Sequence, residues 1–150
     1  MTKTELINQL PYGLPFLFVD DLLKVSRDGV KGTYLFSKDS DFYKGHFKEA
    51  PVTPGVLLTE CCAQIGLVCL GIFLLSQADD FTPKGMQIGM SSSQMDFLLP
   101  VQPDEKVTVT SEKVYFRFNK LKCKVKMHNS QGELVCKGEI SGMFKTEGNA

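Results

Sequence analysis

The sequence has no excess of charge of either sign, because 17 lysine and arginine residues balance 17 aspartate and glutamate residues. A strongly basic chain would be attracted to nucleic acid or to an anionic membrane, and this composition provides no such general attraction. We therefore expect no nucleic-acid partner and no membrane partner. A charged partner could bind only to a local patch of charged side chains.

Cysteine pairs with the spacing of zinc or redox motifs are also lacking. The number of cysteines is odd, and they are Cys61, Cys62, Cys69, Cys123 and Cys136. Reduced thiols in a cytoplasm fit this pattern best, and the adjacent pair Cys61 and Cys62 suits small core residues better than nucleophiles. The first residues have no apolar run and no small-residue cleavage site, so a secretory signal is not expected. We predict a cytoplasmic protein.

Only one long hydrophobic run is present, from Gly55 to Leu75. Glu60 and Gln64 interrupt it, and one acidic residue near the centre of a membrane span costs roughly 2.5–3.5 kcal/mol. A helix that other parts of the protein bury on all sides explains the composition better than a membrane span.

The rest of the chain is predicted to be mainly strand, within one domain covering residues 1–150. The first nine residues favour a short helix capped by Thr2 or Thr4. Strands Leu17–Val25 and Val30–Phe36 flank a turn, and residues 37–54 form an ordered loop before the long helix. After a loop at 76–84, alternating apolar and polar residues predict a three-stranded meander, made of Val107–Phe118, Leu121–Met127 and Leu134–Phe144. These elements predict an α+β architecture in which an antiparallel sheet wraps a single helix.

The candidate chemistry centres on His46 and Glu60. The only other histidine, His128, is expected at an exposed hairpin tip. His46 precedes the apolar helix, where a structural role and a functional role are both open. Glu60 lies inside that helix, where an ionised carboxylate is costly to bury, and Gln64 follows on the same face. This pair is either an internal hydrogen-bonded contact that fixes helix packing or part of an active site.

Backbone amides at the start of the helix supply a third element. The N–H groups around Gly55, Val56 and Leu57 have no partner within the helix and can hold a carbonyl oxygen that gains negative charge. An imidazole, a carboxyl group and such an oxyanion site suffice to remove a proton α to a carbonyl and to protonate a β-hydroxyl leaving group. A metal at His46 is disfavoured, because no second ligand lies at a suitable spacing.

The same residues resemble a known family, the bacterial 3-hydroxyacyl-[acyl-carrier-protein] dehydratases. Its GHF…P…PGVL…E…AQ signature is matched by Gly45-His46-Phe47, Pro51 to Leu58, Glu60 and Ala63-Gln64. Its LP…PFLLVD segment is similar to Leu10-Pro11 and Pro15 to Asp20, and its F…PV.PGD segment to Phe97, Pro100-Val101 and Pro103-Asp104. The resemblance spans most of the chain.

This resemblance implies a hot-dog fold, with a curved antiparallel sheet around one long central helix. It implies a homodimer formed through edge strands, assembled further in some members into a hexamer, a trimer of dimers. His46 of one subunit would face Glu60 of the other, with His46 as the base and Glu60 helping to expel water. Gly55 and Val56 would bind the thioester, Gln64 would support Glu60, the substrate would be carried on acyl carrier protein, and no cofactor would be needed.

Four positions depart from the family pattern: Tyr12, Lys48, Glu49 and Leu99. None is a predicted catalytic group, but they leave the substrate open and favour specialised acyl or polyene synthesis over housekeeping fatty-acid elongation. Two rival functions also stay open, a hot-dog thioesterase and a non-catalytic subunit that binds acyl carrier protein. The lysines at 122, 124 and 126 are interpreted as a solvated strand face rather than a docking site.

Overall fold

The computed structural model describes residues 1–146. The chain begins with the predicted short helix, α1 (Lys3–Asn8). The Thr2 side chain accepts a hydrogen bond from the Glu5 amide, and the Glu5 side chain accepts one from the Thr2 amide. This capping box satisfies two amides that a helix start leaves free, which explains why so short a helix begins here.

Six antiparallel strands form a single sheet. They are β1 (Asp21–Val25), β2 (Val30–Phe36), β3 (Gln87–Phe97), β4 (Glu105–Arg117), β5 (Lys120–His128) and β6 (Leu134–Lys145). Their order across the sheet is β1-β2-β4-β5-β6-β3, so the third strand crosses to the far edge. The hairpin β1-β2 and the meander β4-β5-β6 are confirmed.

The first strand is shorter than predicted, since it begins at Asp21 and not at Leu17. The preceding residues turn towards the helix. The Phe18 amide donates to Gln64 Oε1 at 2.7 Å, so a helix side chain replaces the expected strand partner. The prediction for His128 was also wrong, because this residue ends β5 in register with Leu134 and is half-buried.

The central helix, α2 (Gly55–Leu75), follows Pro54, which is its N-cap. Its middle, Ala63–Val68, is a π-helical turn, a feature that is frequent near functional sites. The helix is long and apolar enough to cross a membrane, but 72% of its most apolar window is buried inside the fold. The prediction of a helix buried by its own protein is confirmed.

The sheet packs closely on this helix. At Gly66 a Cβ atom would lie 3.0 Å from both Ser111 Cβ and Val125 Cγ1, so a larger residue would push these neighbours outward by a few tenths of an ångström. The alternation predicted in β5 is confirmed, because Leu121 and Cys123 are fully buried while Lys124 is exposed. All five cysteines are free and buried.

Strand β3 differs from the other long strands, because almost all of its residues are exposed. Only Ile88 and Met95 are half-buried. It pairs with β6 on one side and lies at the edge of the sheet, so its other side has no partner within residues 1–146. A long exposed edge strand is a ready template for pairing with another chain.

Candidate active site

Two backbone hydrogen bonds and one contact of the imidazole hold the loop that carries His46. This residue follows a 3-10 helix, Asp41–Lys44. Its amide donates to the Phe42 carbonyl at 3.1 Å, and its carbonyl accepts from the Val52 amide at 2.9 Å. The imidazole Nδ1 lies 2.8 Å from the Val52 carbonyl oxygen. The ring is therefore held by the same residue that closes its loop.

The Val52 contact also selects the form of the imidazole. A carbonyl oxygen can only accept a hydrogen bond, so Nδ1 must carry the hydrogen at this contact. In the neutral ring Nε2 then has a free lone pair. Nε2 is thus the ring nitrogen of His46 that can accept a proton, and it lies on the side of the ring away from the Val52 carbonyl.

Glu60 lies in the second turn of α2 and is half-buried. Burial raises the pKa of its carboxyl above the ordinary value of 4.5, and the hydrogen bond from Gln64 lowers it by less. The carboxyl group therefore keeps its proton to a higher pH than an exposed glutamate does. Such a group can donate a proton to a leaving hydroxyl.

Gln64 is fully buried and uses its whole amide. Its Nε2 donates to Glu60 Oε2 at 2.9 Å and to the Phe16 carbonyl at 3.0 Å. Its Oε1 accepts from the Phe18 amide at 2.7 Å. The predicted pairing of Gln64 with Glu60 is present, and the same side chain also fixes the segment before β1.

The helix N-terminus provides two free amides, not three. The Leu57 amide donates to the Pro54 carbonyl at 3.0 Å, so its inclusion among the unpaired groups was wrong. Within residues 1–146, the amides of Gly55 and Val56 meet no acceptor. These two groups are the ones that can bind an oxygen that gains negative charge.

A cavity of about 330 Å³ adjoins these amides. Its lining includes Gly55 together with Val52, whose carbonyl holds His46. The Phe97 ring also lines it and lies beside Gly55, since a Cβ atom at Gly55 would lie 3.5 Å from Phe97 Cε1. Leu99, one of the departures from the family pattern, also lines it. Sequence reasoning gave Phe97 no role, although its place in the F…PV.PGD segment was a usable signal.

His46 and Glu60 form no ion pair with each other inside the described part of one chain. That they share a pocket at a dimer interface therefore stays a prediction. Over the same residues, no group of three or more His, Cys, Asp or Glu side chains is placed to hold a metal ion.

Tyr12 is a site neighbour to which sequence reasoning gave no role. Burial raises the pKa of its hydroxyl far above the ordinary value of 10, and the negative charge of Glu60 raises it further. Its ring lies 6.4 Å from that of Phe16 between centroids, beside the segment that Gln64 holds. Tyr12 therefore keeps its phenol proton, mainly because its ring is partly buried.

Comparison with known proteins identifies the family. A family model for the FabA-like domain matches residues 10–142. The chain belongs to the FabA-like domain family. This FabA-like chain is also similar in structure to the dehydratase heterocomplex ApeI:P from Xenorhabdus doucetiae, with a TM-score of 0.77, 10% identity and coverage of 99% of this chain and 95% of that one.

Thioesterases are similar to the FabA-like chain as well. A hypothetical thioesterase with coenzyme A from Streptococcus pneumoniae matches with a TM-score of 0.59 and 16% identity, over 83% of this chain and 84% of that chain. A thioesterase from Haemophilus influenzae matches with a TM-score of 0.59 and 14% identity, over 84% and 78%. These likenesses confirm the hot-dog fold, six antiparallel strands and one long central helix, that the sequence predicted.

Proposed function

We propose that this protein dehydrates a 3-hydroxyacyl thioester to the trans-2-enoyl thioester. The observation that carries the proposal is the contact of His46 Nδ1 with the Val52 carbonyl at 2.8 Å. It leaves Nε2 as a free base, which an elimination needs in order to remove the α-proton. Hydrolysis of the thioester by a carboxylate-activated water has no need of such a base.

The elimination balances with the groups of the site. His46 Nε2 takes the proton from the α-carbon, and the electron pair of that bond forms the double bond between the α- and β-carbons. The bond from the β-carbon to its hydroxyl breaks, and Glu60 gives its proton to the departing oxygen, so that water leaves. Solvent then returns a proton to Glu60 and removes one from His46.

The free amides support the same step. Loss of the α-proton places negative charge on the thioester carbonyl oxygen. The amides of Gly55 and Val56 are oriented at the helix start, where the helix dipole adds to their attraction for negative charge. The adjoining cavity, which Phe97 also lines, leaves room for the thioester beside these amides.

We further propose that the working form is a homodimer and that acyl carrier protein delivers the substrate. The exposed β3 edge gives a surface on which a second copy can continue the sheet. Pairing of this kind brings two chains together and lets His46 of one subunit face Glu60 of the other. This arrangement accounts for the lack of an ion pair between these residues within one chain.

The test is the absorbance of the enoyl thioester formed from 3-hydroxyacyl carrier-protein substrates. We expect wild type to turn over, and His46→Ala and Glu60→Gln each to lose at least about a hundredfold, as expected when a general acid or base is removed. His128→Ala is the matched control, because this histidine ends a strand of the meander and should leave the rate unchanged.

Two outcomes would overturn the proposal. Release of free thiol without enoyl absorbance would make the protein a thioesterase. A wild-type protein that binds acyl carrier protein but is inert with every chain length would be a non-catalytic partner subunit.

A further inference from the structure

Two buried hydroxyl groups meet at the base of the loop that carries His46. The Tyr43 hydroxyl and the Thr53 side-chain hydroxyl are hydrogen-bonded to each other. Tyr43 belongs to the 3-10 helix before His46, and Thr53 directly follows Val52. Both residues are buried, with 6% and 5% of their surfaces exposed. The hydroxyl pair therefore joins the two sides of the loop.

Thr53 shares a peptide unit with the carbonyl that contacts the imidazole. The Val52 carbonyl oxygen lies 2.8 Å from His46 Nδ1. The N–H group of the same peptide unit is that of Thr53, and it donates to the Val101 carbonyl at 2.9 Å. A peptide unit is planar, so its C=O and N–H groups move together. A contact that fixes Thr53 therefore also fixes the acceptor of the imidazole.

The Val101 contact alone does not hold this peptide unit in one orientation. Hydrogen bonds to a carbonyl oxygen occur over a broad range of directions. The bond from Tyr43 adds a second anchor, on the side chain of the same threonine. One anchor on the backbone of Thr53 and one on its side chain restrict the tilt of the peptide unit. They thereby fix the direction of the Val52 carbonyl.

The Tyr43 hydroxyl keeps its proton at neutral pH. Burial raises the pKa of this phenol above its ordinary value of 10, the bond with Thr53 lowers it by less, and the charges of Asp104 and Glu105 raise it further. The pair thus consists of two neutral hydroxyl groups, each of which can donate or accept. Among residues 1–146 each is the only hydrogen-bond partner of the other. Removing one hydroxyl therefore leaves the other buried and unpaired.

We propose that Tyr43 and Thr53 are positioning residues, which hold the peptide unit 52–53 so that His46 keeps its hydrogen on Nδ1. That His46 then acts as the base for the α-proton rests on the proposed function. The positioning itself is a property of the free protein and can be measured without turnover. The competing interpretation is that the hydroxyl pair only stabilises the fold.

The two interpretations differ for the double variant Tyr43→Phe/Thr53→Val. Each single change leaves a buried hydroxyl without a partner and should lower the urea midpoint of unfolding. Removal of both partners leaves an apolar pair of nearly the same shape, which is close to neutral for stability. We therefore expect the double variant to recover a midpoint close to that of wild type, but not the wild-type form of the imidazole.

The form of the imidazole is measured by NMR of the full-length protein with nitrogen-labelled histidine, at about pH 8.5, above the ordinary titration range of histidine. Protonated and unprotonated ring nitrogens resonate separately, so the spectrum reports which nitrogen carries the hydrogen. The chain has two histidines, and His128→Ala assigns the signals of His46. We expect the hydrogen on Nδ1 in wild type and in Thr53→Ser, which retains the hydroxyl, and a mixture of both forms in the double variant.

Two matched controls remove a hydroxyl elsewhere and should leave the imidazole unchanged. Tyr115→Phe keeps the ring that the Arg117 guanidinium covers. Thr33→Val removes a buried hydroxyl that has no hydrogen-bond partner. If the double variant does not fold, Thr53→Val alone gives the same comparison, because valine has the shape of threonine.

Turnover separates this inference from the proposed function. We expect the double variant to dehydrate a 3-hydroxyacyl thioester with kcat lowered roughly tenfold and KM little changed, because a misdirected base slows proton removal and not binding. Hydrogen on Nε2 in wild type, or on Nδ1 alone in the double variant, would overturn the positioning, whatever the rate of dehydration. A mixture of forms in the double variant of a protein that dehydrates no substrate would overturn the dehydratase and leave the positioning standing.

Discussion

Gln64 Nε2 donates a hydrogen bond to Glu60 Oε2 at 2.9 Å, one helical turn away. The same buried side chain holds the Phe16 carbonyl and the Phe18 amide. Gln64 thus orients the Glu60 carboxyl group and also holds the segment before β1 against the helix. The internal hydrogen-bonded contact predicted for this pair is present, and the part of the pair in an active site stays a prediction.

Replacing Gln64 with leucine should destabilise the fold. The buried Phe18 amide would lose its acceptor, and a buried polar group without a partner costs roughly 1–3 kcal/mol. We expect the free energy of unfolding, measured with urea, to fall by at least that amount. Gln77→Leu is the control, because Gln77 is exposed just after the same helix and should change little. Equal stability of Gln64→Leu and wild type would contradict the role given to this side chain.

Glu60→Gln should stabilise the protein at neutral pH while it removes activity. Burial raises the pKa of Glu60 above 4.5, so the folded state binds this proton more tightly than the unfolded state. The stabilising effect of the proton is fully present below pH 4.5 and is lost as the pH rises through the folded-state pKa. The excess stability of the variant over wild type should therefore be largest at neutral pH and shrink towards pH 4.5, measured by urea unfolding.

The opposite trend would contradict this account. If Glu60→Gln is less stable than wild type at neutral pH but as stable as wild type in acid, the carboxylate is paired and stabilising in the assembled protein. Asp104→Asn is not a suitable control, since Asp104 accepts the Lys38 amide at 2.7 Å. Glu112→Gln serves better, because Glu112 is an exposed residue of β4.

Mixing two inactive variants should restore activity if each site combines residues of two subunits. A mixed dimer of His46→Ala and Glu60→Gln contains one site with both changes and one with neither. Random reassortment would then return about a quarter of the wild-type rate, since half of the dimers are mixed and each has one intact site. The rate is measured after denaturing and refolding the variants together.

Each variant refolded alone is the control for that experiment and should stay inactive. No gain on mixing, with mixed dimers present by differential tagging, would place His46 and Glu60 of one chain in the same site.

Gly71→Ala should destabilise the core. A Cβ atom at this position would overlap the ring of Phe144, which is only 2% exposed on β6. Overpacking of this kind typically costs roughly 1–3 kcal/mol. We expect a lower thermal midpoint for Gly71→Ala, measured by circular dichroism, and no loss for Gly13→Ala, where nothing lies within 4 Å of the added atom. An unchanged midpoint for Gly71→Ala would show that the Phe144 ring can move aside.

Much of the fold was predictable because local patterns report burial. In β5, alternation puts Leu121 and Cys123 on the buried face and Lys124 outside, and the structure confirms it. The burial of the helix from Gly55 to Leu75 was equally predictable, because a run this apolar is unfavourable in contact with water. Glu60 and Gln64 could be paired in advance, since residues four apart in a helix lie on one face.

Other features depended on contacts between distant parts of the chain. The segment before β1 reads as strand, but Phe18 is bonded to Gln64, 46 residues away. The position of β3 at the far edge, beyond β6, follows from pairing over a long stretch of sequence and has no local signal.

The sequence by itself determined which groups are candidates for the site: one histidine before the helix, one carboxyl group within it, and a helix start with free amides. Only the tertiary structure decided the hydrogen-bond partners and the burial of those groups. The Val52 carbonyl selects which nitrogen of His46 carries the hydrogen, because closing the loop brings residues 46 and 52 face to face. Burial decides how firmly Glu60 keeps its proton, because desolvation depends on everything packed around a carboxyl group and not on its neighbours in sequence.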